Sequence, residues 1–319
     1  MRNYVNYHRH SKYSNLITPD SMVDPSDYVK RALELNHDTV AVMEHGHTGG
    51  MSAILEMYEL SKKNNLKLVI GAECYYVPNR LDKDRSNRHI VIFALNQHAL
   101  EELNMIISEA NISGYYYKAR IDNELLLSLN PNDFIVTGAC VGGIGNDEEV
   151  VQMLHNHFKD NFFLEIQSHS HPVQVEYNKK VLELSDKYGI ELIHGNDTHY
   201  ITEEDKQKRN IFLKGKKMDY GEESEFESDY PDYQTIINRY EIQNVIPLNK
   251  VDKAINNTLI IRDKTECFSF DKEIKMPSLY KDKTHEEKME ILERIVKTEF
   301  TNQYRPIIKT KEEVDRYVE

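Results

Sequence analysis

Apolar and polar positions alternate regularly along the first two thirds of the chain. Up to about residue 200, short apolar runs are separated by amphipathic stretches of helical period. This repeated order of strand, turn and helix is typical of β/α units whose neighbouring strands run parallel. The predicted strands are YVNYH, DTVAVM, LKLVIGAECYYV, HIVIFAL, DFIVTGAC, NFFLEIQ and IELIHGND. About seven such units over roughly 200 residues favour an α/β fold in which the sheet closes into a barrel.

The predicted helices lie between these strands and after them. Within the first part they are PSDYVKRALELN, with Asp24 or Ser26 as its cap, MSAILEMYELSKKNN, QHALEELNMIISEAN, DEEVVQMLHNHF and PVQVEYNKKVLELSDKYG. After Tyr200 the pattern predicts a helix in TEEDKQKRNIFLKGKK, an acidic surface loop in MDYGEESEFESDYPDYQT and two helices in TIINRYEIQNVIPLNKVDKAINNTLIIRDK. KMPSLYKDKT is typical of a linker, and helices are predicted in HEEKMEILERIVKTEFTNQY and TKEEVDRYVE.

The composition fits a protein that folds around a large core. The chain has 319 residues, of which 39% are hydrophobic and 29% are charged. Its 40 basic and 53 acidic residues give a net charge of −13, which argues against a protein that grips duplex DNA through a basic face. No apolar run is long enough to cross a bilayer, and the polar start lacks a signal segment. Cys74, Cys140 and Cys267 form no CxxC motif, so we expect a cytoplasmic protein without disulfides or a membrane partner.

Histidine is the residue type in excess, with 14 copies against no tryptophan, and it is the commonest metal ligand. His8 and His10 end the first predicted strand. Residues two apart on a strand point to the same face, so both imidazoles can converge on one ion. Taken alone, this short pattern is better explained by two exposed histidines at a strand end.

Acidic residues occur at the next two predicted strands, and a histidine accompanies the first of them. Glu44 and His45 follow the second strand, where they fit a metal site and a turn equally well. Glu73 lies inside the apolar run VIGAECYYV, where an unpaired carboxylate would cost several kcal/mol. A cation would remove that cost. A structural ion pair would also remove it, but no basic residue lies close in sequence.

The remaining candidate ligands lie in three later strands. His89 begins its apolar run and Cys140 ends another, and each alone is better explained as structural. Asp197 and His199 follow the last predicted strand with the same spacing as the HxH pair. The two pairs are neighbours only if the sheet closes, so barrel closure and a shared metal site support each other. This mixture of donors suits Zn, Mn or Fe and predicts more than one ion, as in sites for phosphoryl hydrolysis.

Several motifs of the chain follow one another in a known order: YHRHSKYSNL, AVMEHG, VIGAECYYVP, RHIVIFALN, GYYYKARID, IVTGACVGG, FFLEIQSH and GNDTHY. In order and spacing they resemble the PHP (polymerase and histidinol phosphatase) domain, and within that family the branch found in bacterial and phage DNA polymerase III alpha subunits. The resemblance implies a distorted (β/α)7 barrel over residues 1–270. It further implies that residues 271–319 are a linker and a C-terminal helical extension leading towards a polymerase palm.

The resemblance also implies a ligand set for two to three divalent transition-metal ions. The implied ligands are His8, His10 and Asp197 for the first ion, Glu73 as a bridge with His89 and Cys140 for the second, and Asp20, His45 and His199 for the third. Glu44 stands where the family usually has aspartate, so it is expected as a further ligand or as a partner of His45. Lys118 and Arg120 are expected either to hold substrate phosphate or to be an ordinary solvated pair. His169 matches a family histidine to which we assign no role.

By resemblance, the retained ligand types imply an active metal-dependent phosphodiesterase. The implied reaction is 3′–5′ proofreading exonucleolysis on DNA, with Glu73, Asp197 and His10 as catalytic residues. Two alternatives remain: a metal-binding scaffold of the polymerase with little activity, and a small-molecule phosphoesterase of the histidinol-phosphatase type. The expected partners are a DNA primer terminus, bound weakly by this acidic chain, and the remainder of the polymerase or other replisome subunits.

Overall fold

The computed structural model describes residues 2–16, 19–46, 50–219, 221–273, 279–304, 306–308 and 310–318. The chain forms two compact units, Met1–Phe270 and Asp271–Glu319. The first unit is a mixed sheet with helices packed on it, which confirms the predicted α/β class. Its strands are β1 (Thr39–His45), β2 (Lys67–Tyr76), β3 (Arg88–Ala94), β4 (Tyr115–Tyr116), β5 (Lys118–Ile121), β6 (Phe134–Thr137), β7 (Phe162–Gln167) and β8 (Leu192–Gly195).

The sheet is not parallel throughout, so the prediction of uniformly parallel β/α units is wrong at β3. Strand β2 pairs in parallel with β1 along its first part and with β5 at its end. Strand β3 runs antiparallel to both β2 and β6, and β6, β7 and β8 follow in parallel order. The chain passes from β2 to β3 through a loop at 77–87 that contains no helix. Without a crossover helix, the next strand returns beside β2 in the opposite direction.

The predicted first strand, YVNYH, is an extended segment rather than a strand, and its residue range forms no ladder in the described structure. The chain forms a single parallel bridge just beyond it, between Arg9 and Thr198. Arg9 also donates a hydrogen bond through Nη2 to the carbonyl of Ala41 in β1. The segment therefore joins the chain after β8 to β1. The barrel is distorted because, among the described residues, its sheet curls round without one continuous ladder.

The predicted helices of the first unit are confirmed, and Asp24 stands at the N-cap of the first one. One short helix, α4, was not predicted. The helices are α1 (Pro25–Glu34), α2 (Gly50–Lys63), α3 (Gln97–Ile112), α4 (Asn123–Ser128), α5 (Glu148–Phe158), α6 (Pro172–Tyr188), α7 (Glu203–Gly215), α8 (Tyr233–Gln243) and α9 (Leu248–Lys264).

Two apolar layers hold these elements together. The larger lies between the sheet and the helices, and the smaller fills the inner face of the curled sheet. Tyr7, Met43, Phe93 and Ile193 belong to the inner layer, which Ile261 of α9 joins. Alternate residues of a strand point to opposite faces, so the inner layer fixes which side chains of each strand reach the interior.

The second unit contains α10 (His285–Glu299), a π-helical turn (Phe300–Tyr304) and α11 (Lys311–Val318). Both helices were predicted. The Thr284 hydroxyl accepts a hydrogen bond from the Glu287 amide, which caps α10. The predicted linker at 275–284 lies partly outside the described residues. No helix within the described ranges combines the length and apolar character needed to span a membrane.

Candidate metal centre

The strands turn polar side chains to the same face as the inner apolar layer. On this face β1 presents Ala41, then Met43 and finally His45, while β2 presents Val69, Glu73 and then Tyr75. The period of two that buries the apolar residues therefore also directs Glu73 inwards, beside His45 at the end of β1.

The antiparallel direction of β3 brings His89 to the same rim. His89 lies at the beginning of its strand, opposite Tyr75 near the end of β2. The turn after β6 places the Cys140 Sγ atom 3.4 Å from His89 Nδ1. A histidine at the start of a strand thus joins residues at the ends of its neighbours.

Glu73 is the centre of the cluster and is 1% exposed. Its Oε1 atom lies 2.5 Å from His89 Nδ1 and 3.4 Å from His8 Nε2. Its Oε2 atom lies 2.9 Å from His45 Nδ1 and 3.1 Å from His10 Nε2. Each oxygen faces a different pair of imidazoles, as a carboxylate that bridges two ions would.

Asp20 is a further acidic residue that lines the pocket. Its Oδ2 atom lies 2.8 Å from His199 Nε2 and 3.4 Å from His45 Nε2. Its Oδ1 atom accepts a hydrogen bond of 2.9 Å from Arg209 Nη2. Arg209 was not predicted; it occupies one oxygen of Asp20 and leaves the other facing the imidazoles.

Three sets of donors have their ligand atoms within 4.8 Å of one another. The sets are His8, His10 and Asp197; Glu73, His89 and Cys140; and His10, Asp20 and His45. The first two have the same members as the ligand sets expected for the first and second ions. In the third set His10 stands in place of His199, which contacts Asp20.

Several buried polar atoms face this pocket without a well-directed hydrogen bond among the described residues, although imidazole nitrogens lie close to the carboxylates. They are His8 Nε2, Asp20 Oδ2, both carboxylate oxygens of Glu73 and Asp197 Oδ1. Unsatisfied buried acceptors are costly. A cation would satisfy all of them, and a set of nitrogen, oxygen and sulfur donors fits Zn, Mn or Fe.

Glu165 is a second buried carboxylate that the sequence analysis missed. Its Oε1 atom lies 2.6 Å from His8 Nδ1 and 2.8 Å from Gln167 Nε2. Its Oε2 atom accepts from the hydroxyls of Tyr7, at 2.8 Å, and Thr137, at 2.9 Å. Since His8 donates its Nδ1 proton to this carboxylate, its Nε2 lone pair faces the pocket. Glu165 lies within the apolar strand FFLEIQ, just as Glu73 lies within the apolar run VIGAECYYV. A carboxylate inside an apolar run is therefore the sequence signal that could have identified Glu165.

Glu44 supports a ligand and does not lie in any of the three donor sets. Its carboxylate accepts from the Ser11 amide at 3.0 Å, the Ser11 hydroxyl at 2.6 Å and the Ser14 hydroxyl at 2.5 Å. The Ser14 oxygen lies 3.0 Å from His10 Nδ1. Because Ser14 gives its proton to Glu44, its oxygen accepts from the Nδ1–H group of His10, which directs the Nε2 atom of His10 to the pocket. This places Glu44 behind His10, and its expected role as a ligand or as a partner of His45 stays a prediction.

The charges of the cluster shift one another's pKa values. Burial disfavours a charged imidazole, but Glu73 and Asp197 outweigh it and raise the pKa of His10 to about 10. Burial likewise opposes the ionised form of Glu73, yet His89 and His10 hold its pKa well below the usual range. The acids therefore remain ionised and favour positive charge in the pocket, which a proton on His10 supplies until a bound cation displaces it.

The predicted phosphate-binding pair is divided between two environments. Lys118 lines the pocket, with its ammonium 4.0 Å from the centre of the Tyr75 ring. Arg120 is buried, and its guanidinium donates to the carbonyls of Gly114, Asp84 and Arg80. Arg120 thus binds backbone carbonyls, and of the pair only Lys118 lines the pocket.

The acidic stretch predicted as a surface loop also contributes to the pocket. Phe226 and Ser228 are buried and line it. His169 stacks on Phe226 with ring centres 4.9 Å apart, and its Nε2 atom lies 3.0 Å from Gln167 Oε1. The surface-loop prediction is therefore wrong for these residues, whose aromatic and small side chains pack against the barrel rim.

Comparisons with known proteins agree with the motifs. A family model described as "PHP domain" matches residues 6–169. The DNA polymerase III subunit alpha of Aquifex aeolicus is 28% identical over 233 residues, covering 66% of this chain and 20% of that protein. The DNA-directed DNA polymerase of Bacillus phage SPbeta is 25% identical over 320 residues, covering 86% of this chain and 24% of that protein. The chain thus spans about a fifth to a quarter of the length of these relatives.

Proposed function

This chain belongs to the PHP domain family, and we propose that it is a metal-dependent phosphoesterase that removes nucleotides from the 3′ end of DNA. The observation that carries the proposal is the convergence of His10, Glu73, Cys140 and Asp197 on one pocket. Homology to DNA polymerase III alpha subunits and to a phage DNA polymerase supports DNA as the substrate. It also supports the remainder of a polymerase, or other replisome subunits, as the partner.

The three donor sets would hold the ions, and Glu73 would connect them. Bound there, two to three divalent ions (Zn, Mn or Fe) would activate water and stabilise negative charge on the phosphate. Glu73 turns its two oxygens to different imidazoles, and His10 belongs to two of the three sets. Asp197 directs Oδ1 towards His8 and His10, at 3.4 Å from each Nε2 atom. We therefore propose Glu73, His10 and Asp197 as the catalytic centre.

Lys118 is the proposed contact to the substrate phosphate. Its ammonium lies on the pocket wall over Tyr75, whose ring centre is 5.3 Å from that of His89. A phosphate held by Lys118 would thus lie beside the ligand cluster. A positioned cation stabilises charge that develops on a phosphate during hydrolysis. Arg209 has a different role in this proposal, because its guanidinium orients Asp20.

The proposal also places the protein in the cytoplasm. Cys74, Cys140 and Cys267 form no disulfide, as expected in a reducing compartment. The net charge of −13 supports only weak affinity of this chain alone for DNA.

The test is cleavage of a labelled primer with a mismatched 3′ end, by purified protein supplied with Mn²⁺. Wild type should shorten the primer, and Asp197→Asn should reduce the rate by at least about a hundredfold, because a ligand carboxylate is lost. Asp186→Asn, a change at an exposed acid on α6, should retain the wild-type rate.

Three results would contradict the proposal. Equal trimming by wild type and Asp197→Asn would identify a contaminating nuclease. Bound metal without any cleavage would favour the polymerase scaffold. Turnover of histidinol phosphate without cleavage of DNA would favour the small-molecule phosphoesterase.

A further inference from the structure

Two exposed segments lie next to the metal pocket and form a surface that could receive a polynucleotide. They are residues 80–88, which comprise the end of the β2–β3 loop and the first residue of β3, and residues 115–118 of the β4–β5 hairpin, here together called the strand platform. We propose that the strand platform binds the end of a single-stranded nucleic acid beside the pocket. This inference rests on the proposed phosphoesterase function and extends it, because it specifies the form of the substrate and the residues that receive it.

Chain continuity connects the strand platform to the pocket. The first segment ends at Arg88, one residue before the candidate ligand His89. The hairpin ends at Lys118, which lines the pocket. If a nucleic-acid strand lies across both segments, the phosphate that follows the bound nucleotides is therefore within reach of Lys118 and the ligand cluster.

The hairpin presents large aromatic rings to solvent. Tyr115 and Tyr117 are 55% and 54% exposed. Tyr117 has a backbone φ of +65°, in the left-handed region that bulky residues rarely adopt. Strained backbone of this kind clusters at active sites and ligand-binding segments. Every nucleobase has a π face, so exposed rings bind single strands with little dependence on base sequence.

The loop places positive charge beside the Tyr117 ring. The Arg85 guanidinium lies 3.9 Å from the ring centre and donates to the hydroxyl of Tyr117. The segment 80–88 has four basic and two acidic residues, in a chain whose net charge is −13. Arg80 and Arg88 are paired with carboxylates, so we assign Lys83 and Arg85 to the strand. Lys118 of the hairpin adds a third cation, against Asp82 and Asp84 in the loop. This small local excess of cations on an acidic protein favours a polyanion at this place.

Buried Arg120 holds the two segments of the strand platform together. Its Nε atom donates to the carbonyl of Gly114, at 3.0 Å, just before the hairpin. Its Nη1 and Nη2 atoms donate to the carbonyls of Asp84, at 2.8 Å, and Arg80, at 2.7 Å, in the loop. Arg120 would therefore act on the substrate through the surface that it builds, and not by contact with phosphate.

The test is the affinity for a fluorescein-labelled oligothymidylate with phosphorothioate terminal linkages, which slow its hydrolysis. Anisotropy is measured at low ionic strength with Mn²⁺, using the full chain. Tyr117→Ala should weaken binding by about tenfold, the effect of losing one stacked base. Arg85→Ala should weaken it about threefold and reduce its dependence on salt. Tyr280→Ala and Lys179→Ala, at exposed residues outside the strand platform, should bind as wild type does.

A second measurement separates this inference from the proposed function. Hydrolysis of a small nucleotide ester with Mn²⁺ should proceed at the same rate in wild type and Tyr117→Ala, because Tyr117 is not among the residues that line the pocket. Normal ester hydrolysis combined with wild-type strand affinity in Tyr117→Ala would overturn the strand platform and leave the phosphoesterase intact. Equal affinity for a duplex of the same sequence would also overturn it.

Discussion

Arg9 and Thr198 face each other in a single parallel bridge between the N-terminal segment and the chain after β8. The Thr198 amide donates to the His8 carbonyl at 3.0 Å, and the His10 amide donates to the Thr198 carbonyl at 2.8 Å. The middle residue of the His8–His10 motif (HxH) is thus paired with the middle residue of the Asp197–His199 motif (DxH). Their flanking side chains, including Asp197 with its left-handed φ of +48°, are directed to one pocket.

Glu165→Gln should weaken metal binding at the set that contains His8. The amide cannot provide the negative charge that fixes the Nδ1 proton of His8, and loss of such a partner lowers metal affinity about ten- to hundredfold. Competition with a chromogenic chelator measures the change. Glu183→Gln, at an exposed position on α6, is the control and should retain wild-type affinity. Unchanged affinity in Glu165→Gln would show that Glu165 does not orient His8.

Gly195→Ala should disturb the contact between Glu165 and His8, because residue 195 lies against the Glu165 carboxylate. A Cβ atom at residue 195 would lie 2.2 Å from Glu165 Oε1 and 2.5 Å from its Cδ atom. Overpacking of this kind costs about 1–3 kcal/mol of stability, and it should lower metal affinity as well. Urea unfolding measures the stability. Gly215→Ala, where a Cβ atom meets nothing within 4 Å, should be neutral or stabilising, and an equal loss in both variants would contradict the account.

Glu44→Gln should reduce stability without changing the number of bound ions. The amide group would turn a donor towards Ser11 or Ser14, which now donate to Glu44, at a cost of about 1–3 kcal/mol. Elemental analysis counts the ions per chain, with Glu101→Gln on α3 as a control at an exposed residue. Loss of one ion per chain only in Glu44→Gln would show that Glu44 is itself a ligand.

His37 should make the folded protein less stable in mild acid. Burial lowers the pKa of His37 from 6.5 to about 4, and its Nδ1 atom lies 2.9 Å from the Tyr230 hydroxyl. Between these pH values the unfolded chain binds a proton that the folded chain does not. The free energy of unfolding therefore falls as the pH drops from about 6.5 to about 4, by at most about 3 kcal/mol from this group. Above pH 6.5 both states are neutral and the effect is absent.

Urea unfolding of the chelator-treated protein at about pH 7 and about pH 5 measures this effect. The loss of stability between the two values should be smaller in His37→Asn than in wild type. His98→Gln, at an exposed histidine, should lose as much as wild type. Equal losses in all three proteins would mean that the surroundings of His37 do not exclude its charged form.

Periodicity predicted much of the fold, and the cost of burying charge indicated Glu73 as a candidate ligand, while the full ligand set was implied by the family resemblance. The helices other than α4 and the strands β1, β2, β3, β6, β7 and β8 follow from apolar patterns that a packed sheet and amphipathic helices require. The direction of β3 does not follow from its own residues. It depends on the loop before it, and for that reason His89 could not be placed at the rim from its position in the strand.

Long-range hydrogen bonds account for what the sequence analysis missed. The four donors to Glu165 come from three parts of the chain: Tyr7 and His8, then Thr137, and then Gln167. The sequence around Arg120 is typical of a surface cation, but its side chain is buried and donates to backbone carbonyls of two loops. Partners of this kind depend on tertiary contacts, which a local pattern does not contain.

Anomalous X-ray diffraction from crystals grown with Mn²⁺ tests the central claim most directly. The account predicts anomalous peaks in the pocket, with Glu73 between them and with ligands from the HxH motif, Cys140 and Asp197. Peaks confined to the protein surface, or an empty pocket at saturating Mn²⁺, would contradict it.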